Sequence, residues 1–211
     1  MPFPLKSFSF LRPFLYHLTS ADNLDSIRST RRLRCAAEFI RSSGQDDLLQ
    51  RHRKESCSVQ RGGVRVRLQG QSPLHAGNIA FEGGWSLNDL IEHLNGLVFF
   101  WPGSETGPSR YGMNHFESSS WGERPVVLKT GTTELFDANP AGSPLFCRFN
   151  SGSPRWSNGQ PSPRGHDTFL PANKFEGSPS KVVEVVFPEA VALPEGTQWG
   201  PSPAGPWRRF F

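Results

Sequence analysis

Phe14-Leu15-Tyr16-His17-Leu18-Thr19-Ser20-Ala21-Asp22-Asn23-Leu24-Asp25-Ser26-Ile27 reads as a short apolar strand that ends on a histidine and a threonine and passes at once into a helix. Ser20 or Asp22 can accept a hydrogen bond from the free backbone N–H groups at the helix start, and Leu24, Ile27 and Leu33 recur at helical spacing. A strand running straight into a helix sets backbone donors and the polar groups of His17 and Thr19 at one rim of a sheet, where a polar ligand can be held. The stretch alone leaves two readings open: a hydrogen-bonded structural histidine, or a ligand contact.

The chain has 211 residues, enough for one well-packed domain (1–211) and short for two. Its 21 glycines and 19 prolines favour many short elements joined by turns over a helical bundle. Cys35, Cys57 and Cys147 are an odd number with no close pair, which argues against a disulfide framework and a Cys-x-x-Cys zinc site and fits a reducing compartment. No apolar run reaches membrane-spanning length, so a soluble, cytoplasmic protein without a membrane partner is expected. Net charge is +4, yet between Arg28 and Arg67 eleven lysines and arginines stand against four acids, a local +7. That excess suits a polyanion, either nucleic acid or the pyrophosphate of a dinucleotide; a solvated basic face is the alternative.

Along the chain, a helix from about Asp22 continues or restarts to Ile40, and a second helical piece covers Asp46 to Lys54. Val59 to Leu68 reads as a hairpin about Gly62-Gly63, and Ser86 caps a helix over Leu87–Leu94. Leu97-Val98-Phe99-Phe100-Trp101, without alternation and stopped by Pro102, reads as a strand buried on both faces in the middle of a sheet. A short helix is expected around His115 to Ser119, with further strands over Arg124–Thr130, Leu145–Phe149 and Lys181–Phe187. Asn150 to Gly165 has almost no core material, and a loop of that length in a compact domain tends to be functional.

Gly-x-Ser-x-Gly, Gly-x-x-x-x-Gly-Lys, His-Glu-x-x-His and Gly-x-Gly-x-x-Gly are all absent, which removes the usual hydrolase, nucleoside-triphosphatase, metalloprotease and Rossmann readings. Glu184 stands out because its strand neighbours are all Val or Phe. Such a carboxylate either faces water at an edge or is held in a cleft.

A strand ending Tyr16-His17-x-Thr19, then Asn23-Leu24 and a helix, a basic helix-to-hairpin segment, and a late Glu184-Val185-Val186-Phe187 followed by Pro and Val resemble the DarT-type ADP-ribosyltransferases. The resemblance spans roughly Tyr16 to Leu193. It implies an α+β fold, a split β-sandwich of two small sheets with flanking helices and an NAD cleft between them. It also implies NAD as substrate, transfer of ADP-ribose to a nucleic-acid base (DNA first), and, for a toxin, an antitoxin protein as partner. Residue by residue, Glu184 corresponds to the catalytic carboxylate and Arg53, or Arg51 in its place, to the functional arginine; His17 and Thr19 correspond to NAD contacts, with Asn23 close by. Phe99 to Gly103 and Cys147 to Arg155 are similar, more closely, to a family of uncharacterised bacterial proteins, which adds no activity. DarT-type enzymes also carry a Phe-Tyr-Phe stretch followed by Ser-Pro-Met. The nearest matches here, Phe99-Phe100-Trp101 and Gln71-Ser72-Pro73-Leu74, lie apart, so the acceptor stays open.

The residue types suit that chemistry independently. Breaking the nicotinamide–ribose bond passes through an oxocarbenium-like state, which a carboxylate bound to the ribose hydroxyl stabilises. A guanidinium can hold pyrophosphate bidentately, and Arg155, Trp156 and Arg164 of the long loop offer charge and stacking for a nucleobase. The same cleft with water as acceptor would make an NAD glycohydrolase, and without chemistry a nucleotide- or nucleic-acid-binding module.

Overall fold

The computed structural model describes residues 3–118 and 124–211. Among these, the helices are α1 (Leu5–Leu11), α2 (Leu24–Thr30), α3 (Ala36–Ser42), α4 (Leu87–Asn95), α5 (Arg110–Ser118) and α6 (Thr132–Asp137). The strands begin with β1 (Phe14–Ser20), β2 (Arg32–Arg34), β3 (Cys57–Arg61), β4 (Val64–Leu68), β5 (Ile79–Phe81), β6 (Leu97–Ser104), β7 (Gly107–Pro108) and β8 (Pro125–Gly131). They continue with β9 (Leu145–Cys147), β10 (Ser162–Arg164), β11 (Leu170–Pro171), β12 (Glu184–Pro188), β13 (Ala190–Ala192), β14 (Gln198–Gly200) and β15 (Arg208–Arg209).

Local chemistry explains most of these boundaries. Ser86 Oγ accepts from the Asp89 N–H while Asp89 Oδ2 accepts from the Ser86 N–H at 2.7 Å, a reciprocal cap that starts α4. Gly62 and Gly63, at φ 53° and 82°, supply the left-handed backbone that joins β3 to β4. Between Asp22 and Ile40 the helix restarts instead of continuing: Arg31 takes a left-handed φ of 50°, ends α2 and turns the chain into β2, which pairs with β13 before α3 begins. The helical piece expected at Asp46–Lys54 is a single 3-10 turn, Asp46–Leu49. The expected helix near His115 is α5; Ser119 lies outside the described residues.

The main sheet runs β11-β9-β12-β6-β1-β8-β14-β15, with β7 added to β6, and every pairing in it is antiparallel. Instead of the two separate small sheets expected, two wings share β6. Leu97–Phe100 pair with β12, whereas Trp101–Gly103 pair with β1. The ladder between β1 and β6 stops at Tyr16↔Trp101, and the rest of β1, His17–Ser20, stays bonded to β8 alone. The ladder between β12 and β6 stops at Val185↔Phe100, leaving Glu184 bonded only across to Cys147 of β9. A strand that changes partner at its midpoint splits the sheet there, and the candidate site lies in that split.

Packing holds both wings. Leu15, Val98, Phe100, Val185 and Phe187 bury one face together with Phe8 of α1, Leu24 and Ile27 of α2 and Leu135 of α6. Leu97, Cys147 and Val186 pack with Leu90, Ile91 and Leu94 of α4. Tyr16, Leu18, Trp101 and Val127 form a further cluster with Phe116 of α5 and Trp207. The β3–β4 hairpin has its own small core of Val59, Val66 and Leu68 with Ile40 and Leu48. Each fully buried side chain of this kind contributes roughly 1.5–3 kcal/mol.

Candidate functional site

The split opens into a cleft in which water-sized molecules have about 240 Å³ for their centres. His17, Thr19, Asn23, Arg53 and Glu184 all line it, so the structure brings five of the sequence-selected residues to one cavity. His17 and Glu184 flank β6 at the level where it changes partner.

His17 is placed by the peeling of β1. Its Nδ1–H donates to the Phe99 carbonyl oxygen at 2.8 Å, which satisfies a β6 acceptor that the departing strand no longer bonds. That donation fixes the tautomer and leaves Nε2 as a lone-pair acceptor. Burial lowers the His17 pKa to about 4, so the ring is neutral at physiological pH. Thr19, two residues on along the same strand face, accepts from Asn23 Nδ2 at 3.2 Å. Asn23 is committed to structure: it receives the Arg67 N–H at 2.8 Å and donates to the Arg67 carbonyl at 2.9 Å, pinning β4 to the start of α2.

Glu184 is 2% exposed, which overturns the water-facing alternative and leaves the held-in-a-cleft reading. Its Oε1 accepts the Ser151 N–H at 3.1 Å, and its Oε2 is buried with no partner among the described residues. Burial raises its pKa to about 7, against the opposing pull of Ser151 hydrogen bonds and the Arg164 charge. The group is therefore poised to ionise near neutrality, and among the described residues it is the one carboxylate in the cleft wall.

Arg53 is the second buried charge, 8% exposed. Its Nη2 donates to Asn95 Oδ1 at 2.9 Å and its Nε to the Gln69 carbonyl at 3.3 Å, while Nη1 is buried and unpartnered. It forms no ion pair among the described residues, and desolvation lowers its pKa. Asn95, the last residue of α4, holds this arrangement by donating to the Leu49 carbonyl at 2.8 Å. Arg32, Arg34 and Arg67 also line the cleft, so four arginines face one carboxylate. The field suits an anion that also offers a hydroxyl donor to Glu184.

The remaining sequence candidates lie elsewhere. Arg51 is exposed and paired with Asp47 at 2.9 Å, outside the cleft wall. Arg155 and Trp156 are exposed and also off the wall; the Trp156 indole N–H donates to the Gly77 carbonyl at 3.1 Å. Arg164 is 1% exposed and spends its guanidinium internally, donating to the Asn150 carbonyl at 3.0 Å, the Ser151 carbonyl at 3.4 Å, Ser162 Oγ at 2.7 Å and the Pro163 carbonyl at 2.7 Å. It cannot stack on a base from there. Instead it anchors, from behind, the turn that presents Ser151 to Glu184.

Sequence reasoning missed Trp101, His115, Gln69 and Ser151 as parts of the wall. His115, from α5, stacks on Trp101 with ring centroids 4.3 Å apart, and its Nε2 accepts from Gln69 Nε2 at 2.8 Å. Burial and the neighbouring His17 bring its pKa to about 4. Trp101 sat within a continuous apolar run, so its polar edge gave no signal. Ser151 lies in the loop flagged for its length, four residues before the nearest candidate named there, Arg155. Among the described residues no group of three or more His, Cys, Asp or Glu could hold a metal ion, and no helix is long and apolar enough to cross a membrane.

A family model described as a family of unknown function (DUF7002) matches residues 13–195, and the chain belongs to that family. No curated protein and no solved structure matches the chain.

Proposed function

We propose that this member of the DUF7002 family is an NAD-dependent ADP-ribosyltransferase that modifies a nucleic-acid base, DNA first. The observation that carries the reading is a buried carboxyl with an unpartnered oxygen and a buried guanidinium with an unpartnered nitrogen in the wall of one cleft. Buried polar atoms left without partners are rare and call for an explanation, and a ligand bearing both hydroxyl and phosphate supplies both missing partners. In this reading Arg53 takes the pyrophosphate, with Arg32 and Arg67 along the same wall, and ionised Glu184 takes a hydroxyl of the nicotinamide ribose. His17 contributes its Nε2 lone pair to a donor on the dinucleotide.

The C1′–N bond to nicotinamide breaks with its electron pair leaving on nicotinamide. The developing positive charge on the ribose is stabilised by the Glu184 carboxylate. The acceptor nitrogen or oxygen then bonds to C1′ and releases its proton. Because the carboxylate form is the active one, the rate rises with pH through about 7.

Incubation with NAD labelled in its adenylate phosphate, with single-stranded DNA, RNA or no polymer, tests this directly. Label transferred to polymer by the wild type and lost in Glu184→Ala supports it. Free ADP-ribose without labelled polymer would assign water as acceptor, and equal labelling by both proteins, or NAD left intact throughout, refutes the reading.

A further inference from the structure

Trp101 is 7% exposed, lines the cleft, and its indole N–H has no acceptor among the described residues. Its position is set from two sides by α5. The His115 ring stacks on it at 27° between planes, and Gly112, one turn earlier, lets the helix backbone come so close that a Cβ there would lie 2.7 Å from the Trp101 Cβ. An indole fixed this firmly with an unused donor is a built contact.

Trp101 and Glu184 line the same cleft. Val185↔Phe100 is the last pair between β12 and β6, and Glu184 and Trp101 are the residues that follow it on the two strands, at the point where the sheet splits. One holds an unmet donor, the other an unmet acceptor, and one hydroxyl satisfies both by accepting from the indole and donating to the carboxylate.

We propose that Trp101 is a specificity-determining residue of this cleft, which with Glu184 reads a single ligand hydroxyl and so selects ribosyl over deoxyribosyl ligands. The proposal rests on the NAD reading of the same cleft and goes beyond it in naming the residue and the group that is read. A site built around a hydroxyl rejects the analogue without it strongly, because the groups that faced the hydroxyl are left unpaired.

The test is calorimetric titration of the full chain with NAD and with the NAD analogue lacking the 2′-hydroxyl on the nicotinamide ribose, for wild type and Trp101→Phe. Phenylalanine keeps an aromatic face for His115 and removes the N–H together with part of the indole's ring area, which is why the ratio of NAD to analogue binding, and not NAD affinity alone, is the readout. The expected result is binding of the analogue at least tenfold weaker than NAD by the wild type, with the ratio falling to about threefold or less in Trp101→Phe through weaker NAD binding. Wild type that binds NAD and its analogue equally overturns the proposal while leaving the NAD reading standing, and this arm needs no variant. A Trp101→Phe protein that melts like wild type and keeps the full ratio also overturns it. Absence of any NAD binding by the wild type removes the reading beneath it, and the proposal with it.

Discussion

Glu184→Gln should make the protein more stable at alkaline pH while abolishing NAD turnover. The folded carboxyl titrates near 7 in place of the ordinary 4.5 because it is buried. The folded state therefore holds its proton more tightly than the unfolded chain, so wild-type stability falls as pH rises from 4.5 to 7 and stays low above it. At about 1.4 kcal/mol per pH unit, the full penalty is about 3 kcal/mol. Glutamine does not titrate, keeps an oxygen for the Ser151 N–H, and puts an amide nitrogen where Oε2 was unpartnered. That nitrogen costs about 1–3 kcal/mol if it finds no acceptor, but the cost does not vary with pH. His17 and His115, lowered to about 4, impose the opposite slope between pH 4 and 6.5, equally in both proteins, so they cancel in the difference. Urea unfolding at pH 5, 6, 7 and 8 should thus show the mutant-minus-wild-type stability rising by about 2.5 kcal/mol between the first and last, part of the full penalty being present already at pH 5. Parallel curves would refute the argument that Glu184 is buried without adequate compensation.

Arg53→Met should change the melting temperature little, because the relief of a buried charge with no ion pair among the described residues is offset by the donors lost to Asn95 Oδ1 and the Gln69 carbonyl, yet abolish NAD binding measured by calorimetry. Two other arginines should separate sharply in denaturant titrations. Arg51→Ala, at an exposed pair with Asp47, should change stability by no more than about 0.5 kcal/mol. Arg164→Met, which strips donors from the Asn150 and Ser151 carbonyls, should cost about 3 kcal/mol or more. Gly112→Ala should lower stability by about 1–3 kcal/mol despite alanine's better helix propensity, because the new methyl meets Trp101 and Pro108 at 2.7–2.8 Å.

What the sequence made legible were features that break a local pattern. A carboxylate among valines marked Glu184, and a histidine at the end of an apolar strand marked His17. The hairpin, the α4 cap and the central place of β6 followed from turn glycines, a serine–aspartate pair and an unbroken apolar run. Arg164 was misread as a surface group because its neighbours are Pro, Ser and Gly, whereas its burial comes from carbonyls 13 and 14 residues earlier. Trp101 and His115 escaped notice for a related reason: each looks like packing within its own element, and only the fold brings the two rings into contact on the cleft wall.

The split itself is a property of three strands at once, which explains why composition and periodicity cannot show it. Along β6, an apolar run fits either neighbour, so nothing in Leu97–Ser104 says that Phe100 ends one ladder and Trp101 begins another. The handover is enforced from outside, by β1 bonding to β8 along its whole length and by Glu184 bonding to β9. Once β1 peels away, the Phe99 carbonyl needs a donor, and His17 is the side chain within reach. The residue that repairs the split therefore also lines it, and a histidine that satisfies the fold with one nitrogen keeps the other for a ligand. The two readings of His17 left open by the sequence are in this way compatible: the structural hydrogen bond at Nδ1 is what fixes Nε2 as an acceptor.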